Sequence, residues 1–204
     1  PVRVLTREIS TVADALLSAT LRWLDANAAK RTGTLLGERF CILAMGKLGG
    51  REVNYSSDVD VLFVIDDEDE DAADPKLRAQ AVEVARGIIR VLSTPTPDGF
   101  AFRVDANLRP YGRDGPLVSG VDELERYYER TGQTWERAAL IKARPCAGGI
   151  DLGWRVLERL RPFVWRRTLD HAAVDALAAM KARIDRQRIG AADNVKLGRG
   201  GIRE

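Results

Sequence analysis

The apolar positions of this chain change rhythm several times, and each change predicts an element. Over residues 6–29, Ile9, Val12, Leu16, Leu17, Leu21 and Leu24 recur at helical spacing, which predicts an amphipathic helix closed by Gly33 beyond its end. Residues 40–45 and 61–65 are short continuous apolar runs, the pattern of buried strands, and the second strand is expected over 59–65. Helical spacing returns over 77–92, with Val82, Ala85, Ile88, Ile89 and Leu92 on one side. A turn at Pro95, Pro97 and Gly99 leads into 100–104, which alternates as a strand. From Val121 onward the segments 121–131, 134–144, 151–160 and 170–189 all read as helices separated by Gly or Pro. The expected class is α+β: a small sheet with flanking helices over 1–118, then a helical segment over 119–204. Trp135, Trp154 and Trp165 are expected to anchor the core of that second part.

The turn between the first two strands carries the candidate chemistry. Gly46, Gly49 and Gly50 crowd into it, Ser56 and Ser57 follow, and Asp58 and Asp60 stand at the mouth of the second strand. Residues two apart on a strand share a face, so the two carboxylates project together. They repel unless a cation sits between them, and hard oxygen donors suit magnesium. Glycines let backbone N–H groups approach a phosphate with no Cβ in the way. The turn is not a P-loop, which needs Ser or Thr after the lysine and a Gly five positions ahead of Gly46, where Cys41 stands.

Asp105 closes the 100–104 strand. If that strand lies beside the Asp58–Asp60 strand, Asp105 becomes the third carboxylate of the group. Three carboxylates can hold two divalent ions that clamp the attacking and leaving oxygens of a displacement at phosphorus. Arg109 reads either as a planar donor fork for a phosphate or as one arm of a surface ion pair. Lys142 and Arg144 are further phosphate candidates. The acidic stretch 66–74 reads as a solvated loop, and Arg161, Arg166, Arg167, Arg183, Arg186 and Arg188 as basic side chains on helix faces. His171, the only histidine, is assigned nothing.

Composition narrows the function classes. The chain has 204 residues, 45% of them hydrophobic and 30% charged, enough to bury a core. A net charge of +2 gives no general electrostatic reason to bind nucleic acid. No uncharged apolar run approaches the roughly 18 residues of a membrane helix. The two cysteines are too few for a disulfide framework, and neither has a Cys or His at ligand spacing. Cys41 is expected to be a buried small hydrophobe and Cys146 to lie in a loop. A reducing, cytoplasmic setting follows. The start at Pro1-Val2-Arg3 and the end at Gly200-Gly201-Ile202-Arg203-Glu204 are expected to be cuts within a longer chain.

Gly46, eleven residues, then Asp58-x-Asp60 between two strands resembles the signature of the DNA polymerase β-like nucleotidyltransferases. Blocks 46–60, 103–118, 127–137, 140–145 and 194–204, in that order, resemble the bifunctional glutamine synthetase adenylyltransferase/adenylyl-removing enzymes. That family carries two nucleotidyltransferase domains, each followed by a helical bundle. One transfers AMP from ATP to a tyrosine of glutamine synthetase, and the N-terminal one removes it by phosphorolysis as ADP. Asn54-Tyr55-Ser56-Ser57 and the ending 196–204 resemble the N-terminal copy, so adenylyl removal is the expected activity and addition the alternative. A nucleotidyltransferase acting on RNA and a non-catalytic regulatory module are the remoter readings.

The resemblance implies Asp58, Asp60 and Asp105 as catalytic carboxylates holding two magnesium ions, with manganese as the alternative. It implies Gly46, Lys47, Gly49, Gly50, Ser57, Arg109 and Lys142 as nucleotide or phosphate contacts. Glutamine synthetase is the implied protein substrate and a PII-type signalling protein the implied regulator. Neither nucleic acid nor membrane is an expected partner. Asn107 stands where many relatives carry Arg, and no role is assigned to it.

Overall fold

The computed structural model describes residues 2–55, 57–67 and 74–165, together with 175, 178–179 and 182. Its order is α1 (Val2–Thr32), β1 (Phe40–Ala44), α2 (Gly46–Gly49), β2 (Val59–Ile65), α3 (Pro75–Ser93), β3 (Val104–Asp105), β4 (Val118–Gly120), α4 (Val121–Arg130), α5 (Thr134–Leu140), β5 (Arg144–Gly148) and α6 (Ile150–Val164). The class is α+β, built on a small mixed sheet.

β1 and β2 form the antiparallel centre, in register from Phe40 opposite Ile65 to Ala44 opposite Val61. β5 pairs antiparallel with the other side of β1, with an irregularity between Ile42 and Leu43. β3 and β4 both run parallel to β2, β3 at its beginning and β4 at its end. The sheet therefore takes strands from both sides of residue 118.

β1 is apolar throughout because both faces are covered. Phe40, Ile42 and Ala44 point into a core shared with Ala13, Leu17 and Leu21 of α1 and Ala81, Val84 and Ile88 of α3. Cys41, Leu43 and Met45 point into a second core with Leu124 of α4, Leu140 of α5 and Leu152, Val156 and Leu160 of α6. Each face holds a separate apolar cluster, so the alternation along β1 decides which helices it meets.

Several elements differ from the expectations above. The 100–104 strand shrinks to β3, because β2 offers a partner only from Val59, while Phe102 bonds back to the end of α3 instead, its N–H on the Leu92 carbonyl at 3.0 Å. The 134–144 helix stops at Leu140, and Arg144–Gly148 becomes a strand because the second edge of β1 is open to receive it. Pro145 is tolerated there, since β5 is an edge strand. Cys146 accordingly lies in β5 rather than in a loop, its thiol 3.4 Å from the Ile42 carbonyl.

The tryptophans are not core anchors. Trp135, Trp154 and Trp165 are 41%, 51% and 60% exposed. Helical phase explains Trp154: the buried residues of α6 are Leu152, Gly153, Val156, Leu160, Phe163 and Val164, and Trp154 falls off that stripe. In α1, Val12 is likewise exposed, and the buried stripe includes the polar Ser10, Thr20 and Asp25. Cys41 is buried as expected, and desolvation pushes its thiol up to about 12. The 170–189 segment, apart from four residues, and His171 lie outside the described residues, as does most of the 66–74 loop. Among the described residues no helix is long and apolar enough to cross a membrane.

Candidate active site

The start of β2 is where the sequence-predicted residues gather. Asp60 lies directly opposite Asp105 across the parallel β2–β3 pair. Asp58 stands just before β2, and its Oδ1 accepts from Arg103 Nε at 2.6 Å. Asp105 Oδ1 accepts from the Asn107 backbone N–H at 2.7 Å, which turns the chain sharply after β3. Among the described residues no three acidic, His or Cys side chains converge on one point with the spacing of a metal centre. A cationic group, the Arg103 guanidinium, lies against one of the three carboxylates.

The glycine turn proves to be one turn of helix, α2, tied to β2 by a bond from the Met45 N–H to the Asp60 carbonyl at 2.9 Å. Gly46 has φ +50, and a Cβ there would stand 2.6 Å from Asp60 Oδ2. Its missing side chain is thus space that the Asp60 carboxylate occupies. The Lys47 amino group reaches Asn54 Oδ1 at 3.3 Å and Ser57 Oγ at 3.4 Å, and Ser57 Oγ donates to the same Asn54 oxygen. Ser57 is buried, so a cation and a hydroxyl are held together on the loop that delivers Asp58.

The remaining predicted residues stand behind or beside this group. Gly49 is buried, with the Ala44 carbonyl 2.9 Å from where a Cβ would stand and the Lys142 carbonyl closer still, so its small size serves packing rather than a ligand. Lys142 pairs with Glu52 at 2.7 Å, its stem packed beside Gly50. Arg144 supports α2 from the rear. It donates to the Gly49 carbonyl at 3.2 Å, the Leu48 carbonyl at 3.0 Å and Asp14 Oδ1 at 2.9 Å.

Among the described residues Arg109 forms no ion pair. Its guanidinium donates to the carbonyls of Ala106 at 2.9 Å, Arg113 at 3.0 Å and Gly115 at 3.2 Å, stapling the loop after β3. Desolvation lowers its pKa, opposed by the nearby charges of Asp105 and Asp114. That loop meets the helical half through Tyr111, whose ring lies edge-on to Tyr127 at 4.7 Å. The Tyr127 hydroxyl in turn donates to buried Glu136 at 2.8 Å, and burial followed by this bond pushes its pKa up to about 12.

Three participants escaped the sequence reading: Arg103, Asn54 in its contact with Lys47, and Asp14. Arg103 carries a local signal that was available, since it stands two residues before Asp105, as Asp58 stands two before Asp60. Its partner across the strands is what made that signal meaningful.

With this geometry in hand, comparison with known proteins is decisive. The family model described as glutamate-ammonia ligase adenylyltransferase matches residues 1–159. The chain belongs to that family. The match takes in every strand and every candidate site residue from Gly46 to Lys142. The bifunctional glutamine synthetase adenylyltransferase/adenylyl-removing enzyme of Hahella chejuensis is 42% identical over 99% of this chain and 22% of its own length. Its namesakes from Pseudomonas aeruginosa and Thioalkalivibrio sulfidiphilus are each 43% identical over 97% of this chain and 21% of their own lengths. The chain thus spans about a fifth of the length of these glutamate-ammonia ligase adenylyltransferase relatives.

Proposed function

We propose that this chain is a DNA polymerase β-like nucleotidyltransferase unit that removes AMP from adenylyl-tyrosine of glutamine synthetase by phosphorolysis, within a bifunctional enzyme of nitrogen regulation. The observation that carries the reading is the register of Asp60 with Asp105 beneath the Gly46 turn, with Asp58 beside them. The relatives' names supply the substrate class, and Asn54-Tyr55-Ser56-Ser57 with the ending 196–204 favours removal over addition.

In the reaction, an oxygen of inorganic phosphate attacks the phosphorus of the adenylyl group. The bond from phosphorus to the tyrosine oxygen breaks, ADP leaves, and the tyrosinate takes a proton from solvent. Phosphate is already an anion at neutral pH, so attack needs little help from a general base. Lys47 and Ser57 would donate to phosphate oxygens, while Gly46 makes room for the Asp60 carboxylate and Gly50 for the Lys142 stem. Lys142 joins them when it leaves Glu52. Arg109 has its fork committed to three carbonyls, so its part is to hold the loop beside Asp105.

The donor chemistry of Asp58, Asp60 and Asp105 fits magnesium, all hard oxygens, and the guanidinium on Asp58 marks a place where positive charge is held. Two magnesium ions, or manganese, held by these three side chains would neutralise charge on the phosphoryl oxygens and on the departing tyrosinate. The protein works in the cytoplasm under a PII-type signalling protein, with no nucleic-acid or membrane partner.

A two-armed assay with magnesium in both arms tests this. One arm holds adenylylated glutamine synthetase and phosphate and is followed for ADP; the other holds unmodified synthetase and ATP and is followed for protein-bound AMP. ADP is expected in the first arm and is lost in Asp58→Asn and Asp60→Asn, with circular dichroism unchanged. Labelling in the second arm alone means the site adds AMP, which the bifunctional names of the relatives keep as the second reading. Turnover retained in both variants would falsify the carboxylate assignment.

A further inference from the structure

The ion pair between Arg103 and Asp58 has no evident role in holding the fold. The side chains are 50% and 37% exposed, and an exposed pair of this kind contributes little to stability. Its position is nevertheless well defined. The Val59 N–H donates to the Arg103 carbonyl at 2.8 Å, and the register of Val59 with Val104 and of Asp60 with Asp105 follows directly. Arg103 is thereby held by its backbone at the rim of the three carboxylates, and only its side chain can move. The Phe100 ring lies 5.8 Å from the guanidinium carbon, within reach of a cation–π contact.

We propose that Arg103 is a phosphate-binding residue of this site, resting on Asp58 as an internal counter-ion until a divalent cation takes that carboxylate. The proposal rests on the nucleotidyltransferase reading above. The Arg103 guanidinium meets Asp58 through its Nε. A second cation competing for the Asp58 oxygens is what displaces it. The displaced guanidinium remains tethered beside Asp105 with Phe100 beneath it, and its planar donor fork matches two oxygens of a phosphate group. One residue thus links two events: occupation of the carboxylates by metal turns a cation toward the anion that has to bind next. The phosphate group recognised is common to inorganic phosphate and to the nucleotide, and separate arms of the test distinguish them.

The test uses the full chain as wild type, Arg103→Gln, Arg103→Lys and Asp58→Asn, each checked by circular dichroism. Manganese binding is read from the electron paramagnetic resonance of the unbound ion, without phosphate. Inorganic phosphate and ADP binding are then read by calorimetry at saturating manganese. Removing the competing charge in Arg103→Gln is expected to tighten manganese binding several-fold. The same variant is expected to weaken phosphate or ADP roughly tenfold or more, the equivalent of one charge-assisted hydrogen bond. Arg103→Lys keeps the charge without the fork, so it binds manganese like wild type and the anion at an intermediate strength. Weakening of inorganic phosphate alone assigns Arg103 to the attacking group; weakening of ADP assigns it to the nucleotide.

Manganese affinity unchanged in Arg103→Gln, while Asp58→Asn abolishes binding, overturns the proposal and leaves the metal site standing. Tighter manganese with unchanged anion binding overturns it as well. No manganese binding in wild type overturns both the proposal and the reading beneath it.

Discussion

Gly46 shows how one residue serves both backbone and site. Its φ of +50 belongs to the left-handed region, and the place of its side chain is taken by the Asp60 carboxylate. Gly46→Ala is expected to lose about 1–2 kcal/mol from left-handed strain, read by urea denaturation. It should also lose roughly a hundredfold in turnover, because Asp60 has to shift. Gly33→Ala is the comparison: φ is +78, nothing lies within 4 Å, and the same backbone strain should leave turnover unchanged. Equal effects of the two variants on activity would remove Gly46 from the site. Asp58 stands just before β2, and the strand that carries Asp60 was legible from its own apolar run. The Arg103–Asp58 contact was not, because it depends on β3 pairing with the start of β2.

Among elements, the first and third helices are joined by a buried carboxylate that no hydrophobic pattern announces. Asp25 of α1 accepts from the N–H groups of Leu36 at 2.9 Å and Gly37 at 3.1 Å, and from Gln80 of α3 at 3.3 Å. It fastens the connection into β1 as well as the helix pair. Asp25→Ala leaves those donors buried without a partner and is expected to lower stability by about 1.5–3 kcal/mol, measured by urea denaturation; Asp25→Asn, which keeps one acceptor, should lose less. A loss within about 0.5 kcal/mol, the size of an ordinary surface substitution, would mean that water replaces the carboxylate there. The long helices and the two central strands were legible because their burial is set by their own pattern. β5 was not, since Arg144–Gly148 becomes a strand only by lying against β1.

For the whole molecule, the consequence of β5 is that the candidate carboxylates and the helical half share one sheet. A fragment ending at residue 118 would lack β5 and α4 to α6, and would expose Cys41, Leu43, Met45, Leu62 and Val64 to water. Such a fragment is expected to aggregate or to bind hydrophobic dyes without a cooperative transition, whereas residues 1–165 should unfold in one step. Cooperative unfolding of 1–118 would show that the first face of the sheet is sufficient. By itself the sequence determined the α+β class, both central strands and the buried Cys41, because each follows from a short-range period. Tertiary structure alone decided that Asp105 stands opposite Asp60, that Arg103 holds Asp58, that Arg144 supports the glycine turn, and that three tryptophans face outward. Those outcomes depend on which strand edges meet and on which side of each helix the sheet lies, and no local pattern carries that information.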